Sequence, residues 1–221
     1  MKLFEILTGI EIYQLPEMFG HKKVSVFLEP IEDILIRDVP YSKQDENTIY
    51  FNTSGYAEAL VSGFLPAVEC LFIDKSAITL DPGLEYEELR INRSQFVTKN
   101  YFDRAISEFE EVFKYSETIV KSSPKNKEQF KKEWKECIRV KLYCTYQLDS
   151  LIKILKNKDI PGEAFNIKNF YDVEVCNKNI ETLKEQAISL GKDLPEKCDY
   201  IFIIKSLRVD YFQKIKLFVN E

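Results

Sequence analysis

Histidine is almost missing from this chain: His21 is the only one in 221 residues. Ser-His or Cys-His catalysis would have to run through it, and nothing near it reads as its nucleophile. Cysteine is present five times, but the number is odd, the spacings are wide and no C-x-x-C occurs. A zinc frame and a disulfide framework are both disfavoured, and free buried thiols in a reducing cytoplasm are expected. Glycine (7) and proline (8) are sparse, which argues against long disordered tracts. No apolar run approaches the ~18 residues that a membrane span requires. The opening MKLFEILTGIEIYQL has neither an uninterrupted apolar region nor a small-residue cleavage site, so it does not read as a signal peptide. Excess positive charge is lacking too: the net charge is −5, and bulk electrostatics give no drive toward nucleic acid. A cytoplasmic protein without a membrane partner is expected.

What is present is an ordinary folding composition, 45% hydrophobic and 30% charged, long enough for one large domain or two small ones. The first half carries short strand-like runs: Leu3 to Leu7, the alternating Lys23 to Leu28, Ile34 to Ile36, and Thr48 to Phe51. YSKQDEN reads as a polar loop between the last two. Ser54 to Ser62 reads as a short helix, and Pro66 starts a second through AVECLFI. The second half is helical. One helix is expected from about Tyr101 to Val120, followed by a polar break at SSPKNK. A long helix then places Phe130, Trp134, Cys137, Cys144, Leu148, Leu151 and Leu155 on one buried stripe, ended by Pro161-Gly162. Asn177 is the expected N-cap of a helix to Leu190 with Gly191 as its stop, and a last helix is expected from Tyr200 to Val219. The expected fold class is α+β: a small mixed-sheet domain over residues 1–98, then a helical domain over 99–221.

The most informative stretch runs from Thr8 to Pro30, TGIEIYQLPEMFGHKKVSVFLEP. Gly9, Tyr13, Val26, Phe27 and Pro30 stand at the spacing of a pattern that runs Gly-Ser, Tyr-Gly, a short loop, Ser-Asp-x-Asp, then Gly-Val-Phe and Pro. In this respect the chain resembles the predicted nucleotidyltransferases of the DNA polymerase beta superfamily, in their bacterial and phage branch. The resemblance extends through Gly63, Pro66, Glu69, Leu71 and Phe72, through LRINRSQFVTK (Leu89, Arg90, Asn92, Arg93, Phe96, Lys99), and to Leu194, Pro195, Asp199 and Tyr200. In the family two carboxylates at i and i+2 of a strand point to one face and hold Mg²⁺ against a nucleoside triphosphate. Here Ile10 replaces the Ser, Gly20 and Lys22 replace the two Asp, and Asn47 stands for the third acid. Lysine at a metal-binding position repels Mg²⁺. The resemblance therefore implies a retained nucleotidyltransferase-like fold with degenerate chemistry. HEPN-type ribonucleases, which accompany such proteins, need an Arg-x₄₋₆-His on a helix, and His21 does not supply it.

The phosphate-contacting positions implied are Gly9, Tyr13, Lys22 and Arg139, the last in a position where the family has His-Leu-x-Arg and this chain has Glu136 for the His. Each has a plainer reading. Gly9 serves a turn, Lys22 and Lys23 form a solvated edge, the tyrosines (Tyr13, Tyr41, Tyr50, Tyr56) pack, and Arg139 pairs with Glu136 or Asp149. Glu29, Glu32 and Asp33 are a solvated acidic loop or, together with Asp45 and Glu46, the source of a rebuilt metal site. Three functions follow. The first is a catalytically degenerate protein, with no cofactor, that binds a nucleotide, a nucleic acid or a protein partner. The second is an active Mg²⁺-dependent transferase moving NMP from NTP, with Glu29, Glu32, Asp45 or Glu46 as its acids. The third is an interaction protein that forms a homodimer through its helical half.

Overall fold

A computed structural model describes residues 2–7, 23–27, 42–45, 48–74, 78–80, 84–121, 126–160 and 173–198. Five strands form one mixed sheet: β1 (Lys2–Leu7), β2 (Lys23–Phe27), β3 (Ser42–Gln44), β4 (Thr48–Asn52) and β5 (Ile78–Leu80), in the order β3-β4-β2-β1-β5. The β2–β4 pair is parallel and the other pairs are antiparallel. Alternation makes one face apolar: Ile6, Val24, Val26, Ile49 and Phe51 are all buried. Asn52 ends β4 and caps α1 (Thr53–Val61), its Oδ1 accepting from the Gly55 N–H at 2.6 Å. Phe51 meets Tyr56 and Phe64 edge-on, with centroids 5.8 and 6.1 Å apart, which fastens this helix to the sheet. The fold is α+β.

In the first half of the chain two local expectations change. The segment Ser42–Gln44, read as loop, is an edge strand paired with β4 through Ser42↔Phe51 and Gln44↔Ile49. Its side chains are all exposed, so it lacks the apolar alternation by which strands are recognised. The helix through AVECLFI is short: α2 (Leu65–Glu69) stops before Leu71, Phe72 and Ile73. The helix gives way to i→i−3 bonds, Leu71 N–H to Val68 O at 3.1 Å and Phe72 N–H to Glu69 O at 2.9 Å, and side chains take the carbonyls that follow. Tyr86 Oη donates to Cys70 O at 2.9 Å, Arg93 to Leu71 O at 3.3 Å and Arg90 to Ile73 O at 2.5 Å. Ile73 then bridges Ile160 in parallel.

α3 (Leu84–Ile91) and a 3₁₀ turn (Arg93–Phe96) lead into the long helices α4 (Lys99–Lys121), α5 (Lys127–Leu155) and α6 (Val173–Leu190). The pairs Glu108–Gln147 and Ser116–Cys137 set α4 antiparallel to α5. Lys184–Glu110 and Gly191 against Phe102 set α6 antiparallel to α4, so α5 and α6 run the same way. On the α5 stripe Cys137, Cys144, Leu148 and Leu151 are buried as expected, but Phe130 and Trp134 are 50% and 37% exposed. The third helix explains the change: Asn177 of α6 sits level with Lys141, and α6 begins one turn earlier, short of Trp134. Asn177 is therefore inside α6 and not its cap; its Oδ1 accepts from the buried Lys141 ammonium, which also lies 4.7 Å over the Phe113 ring. α5 ends at Leu155, with Asn157 at φ 53 and the bonds Lys158 N–H to Lys153 O and Asn157 N–H to Ile154 O closing a Schellman turn. Gly191 does stop α6; a Cβ there would lie 2.5 Å from the Phe102 ring. The cysteines are free, with Cys70, Cys137, Cys144 and Cys176 buried and Cys198 partly so. The expected strand Ile34 to Ile36, the Pro161-Gly162 break and the Tyr200 to Val219 helix lie outside the described residues.

The buried core runs unbroken from the sheet through α1 and α2 into α4, α5 and α6. Gly63 marks the closest approach along that path. Its φ is +67, and an added Cβ would stand 2.5 Å from Tyr101 N. Gly63→Ala is expected to destabilise the fold by about 2–3 kcal/mol, from left-handed strain together with backbone collision. Urea denaturation of the variant beside the parent chain measures it, and an unchanged midpoint would refute the tight contact.

Candidate functional site

Of the positions singled out from sequence, Gly9, Tyr13, Lys22, Glu29, Glu32 and Glu46 lie outside the described residues. Asp45 and Arg139 lie within them. The Asp45 carboxylate accepts from Thr48 N–H at 2.7 Å, and its own N–H donates to Thr48 O at 3.0 Å, so it closes the β3–β4 turn. Arg139 is exposed on α5, and among the described residues it makes no ion pair. Its expected partners are engaged elsewhere: Glu136 accepts from Tyr115 Oη at 2.9 Å, and Asp149 holds Lys153 at 2.6 Å. Lys23 pairs with Glu5 at 3.5 Å across β1 and β2. Among the described residues no group of three or more His, Cys, Asp or Glu is arranged to hold a metal ion.

The sheet nonetheless brings two chain positions together. β2 and β4 run parallel in the register Lys23↔Thr48, so both strands start at one end of the sheet, side by side. Lys22 and Asn47 directly precede those residues in the sequence. The same pair places Ser25 opposite Tyr50; Ser25 is 1% exposed, and its Oγ has no hydrogen-bond partner. Beside β3 and α1 lies an open groove of about 380 Å³, with Lys43 and Gln44 on one wall, Glu58 and Ser62 on the other and Phe51 and Phe64 below.

A second polar centre lies where α2, α4 and α5 meet, and sequence reasoning noticed only one of its members. The Glu69 carboxyl is pushed up to about 8, first by burial and then by the nearby Glu108. Glu108 is itself raised, by burial and by Glu111, against a hydrogen bond from Gln147 Nε2 at 3.2 Å. Tyr101 and Tyr143 border both acids and are raised chiefly by burial. Gln147 Oε1 is buried with no hydrogen-bond partner. The signal in the sequence was a lone acid inside the apolar run LPAVECLFI. A carboxyl held neutral near pH 7 donates a hydrogen bond or a proton, which makes this centre a chemical candidate as well as a packing device.

The LRINR stretch, one of the stronger points of the sequence resemblance, is structural here. Arg90 Nη2 reaches Asp159 Oδ2 at 3.0 Å while Arg93 bonds the other carboxylate oxygen. Arg93 also donates to Asn157 Oδ1 and Asn157 O, at 3.0 and 3.1 Å, and lies 4.7 Å over the Phe72 ring. Neither the family models, nor the curated proteins, nor the solved structures compared with this chain match it.

Between the ordinary carboxyl value of 4.5 and about 8, folded Glu69 keeps a proton that the unfolded chain has lost. This group therefore makes stability fall as pH rises through that window and level off above it. Urea midpoints taken at pH steps from 5 to about 9 are expected to decline in the parent and to decline less in Glu69→Gln. Equal slopes in the two proteins would show that Glu69 titrates normally.

Proposed function

We propose that this chain is a nucleotidyltransferase-fold protein that binds a nucleotide through its phosphates and has lost transfer. The observation that supports the reading best is the parallel register Lys23↔Thr48. In the resembling family one strand carries two of the metal-binding acids and a later strand the third. The residues that directly precede this paired end here are Lys22 and Asn47, a cation and an amide. A lysine there replaces the positive charge that Mg²⁺ would bring to a phosphate tail, so the site keeps the electrostatics of phosphate binding without the metal's role in in-line displacement. Gly9 and Tyr13 belong to the same phosphate loop by resemblance, and Arg139, unpaired among the described residues, is the cation that the helical half offers.

Transfer through a rebuilt carboxylate set is the competing reading. It would draw on Glu29, Glu32, Asp45 and Glu46, of which Asp45 is engaged with Thr48. A protein partner is the second reading worth keeping, and the exposed aromatic pair on α5 favours it. No helix among the described residues is long and apolar enough to cross a membrane.

Calorimetric titration with ATP and GTP, with and without Mg²⁺, separates these readings. Binding that is indifferent to Mg²⁺ and about tenfold weaker in Lys22→Ala is expected, the size of one lost charge-assisted contact. Binding that requires Mg²⁺ would favour the transferase, and no binding at all would leave the partner reading.

A further inference from the structure

The long helix α5 carries a heptad seam whose lower part is covered and whose upper part is not. From Lys141 onward, α6 lies along it, and Asn177 takes the Lys141 ammonium. α6 starts at Val173, one turn above Asn177, so its described length reaches the level of Cys137. The next two seam positions, Trp134 and Phe130, stack on each other with centroids 5.9 Å apart and 22° between planes. They are 37% and 50% exposed. Above Cys137 the described bundle is thus a two-helix hairpin with the third side of its seam open.

We propose that this open seam is the self-association surface of the protein, and that its occupant is the same seam of a second copy. A two-fold pairing needs a patch that complements itself. The segment KEQFKKEWKE, Lys127 to Glu136, does so electrostatically, with four Lys interleaved with three Glu. Two copies meeting here do not build a like-charged interface, whereas the chain as a whole carries −5. Flat stacked rings meeting their symmetry mates complete a four-helix arrangement where the described residues supply no third helix. Size sets the strength. An aromatic side chain buries about 150–250 Å² when fully covered. The partly exposed rings of two copies therefore contribute roughly 400 Å², against about 1,200 Å² for a stable interface, with Lys and Glu stems supplying the remainder. The dimer is a weak one that forms in the micromolar range. The inference stands apart from the nucleotide reading, since none of the proposed phosphate contacts lies on this seam.

Trp134 is the sole tryptophan of the chain, so its emission reports on this surface alone. The test is light-scattering mass and tryptophan emission of the full chain across a hundredfold dilution centred near ten micromolar (about). Expected are a mass that climbs from monomer to dimer and an emission that moves to shorter wavelength with the same midpoint. Phe130→Glu, a change at a half-exposed site, abolishes both while leaving circular dichroism and the urea midpoint unchanged. Three results overturn the proposal: a monomer with solvent-like emission at every concentration, a monomer whose emission is already short-wavelength because another part of the same chain covers the seam, or a dimer that survives Phe130→Glu.

Discussion

The clamp that Arg90 and Arg93 close on Asp159 is the constraint on which the rest of the structure hangs. One carboxylate, just past the end of α5, receives two guanidinium groups, one from the last turn of α3 and one from the start of the 3₁₀ turn. The same two arginines hold the carbonyls of Leu71 and Ile73, and Ile73 bridges Ile160. The stretch after α2, the approach to α4 and the exit from α5 are thereby fixed to one point. Planar guanidinium groups suit this work because each presents several donors in a rigid fork, where a lysine would offer a single mobile charge. The two arginine side chains are 10% and 14% exposed while the Asp159 side chain they share is 45% exposed, so solvent screens the carboxylate side of the clamp.

Around that point the fold places charge where burial makes it consequential. Burial first and the nearby Glu108 second raise the Glu69 carboxyl. Lys141 is 3% exposed and has an amide oxygen and an aromatic face in place of a carboxylate. Both tie a helix crossing to a protonation or hydrogen-bonding state, one at the α2–α4–α5 junction and the other at the meeting of α4, α5 and α6. β2 and β4 start side by side at one end of the sheet, in the register Lys23↔Thr48.

Much of the architecture was legible in the residues because its causes are local. Val24, Val26, Ile49 and Phe51 alternate, and the structure turns them to one face. Gly191 follows an amphipathic helix and ends it. What was misread has a common cause. Ser42–Gln44 is a strand only because β4 offers it a ladder. Asn177 looked like a cap, yet it is an interior acceptor for a lysine 36 positions earlier. Phe130 and Trp134 share the periodicity of the buried stripe, but periodicity states which side of a helix is apolar and not how far along a neighbour extends. For the proposed site, the residues Gly20, Lys22 and Asn47 are read directly from the sequence. The convergence of Glu69 with Glu108 is not, because it is brought about by the crossing of two helices.

By itself, then, the sequence determined where the apolar strands and the long helices lie, and that Val24, Val26, Ile49 and Phe51 share a buried face. These are properties of residue type and spacing, which local sterics and hydrophobic periodicity translate directly. Only the tertiary structure decided which strands run parallel, that Arg90 and Arg93 serve a clamp, and where burial raises a carboxyl. Each depends on groups far apart in the chain being brought within a few ångströms, and both desolvation and Coulomb energy are set by that separation and not by distance along the sequence.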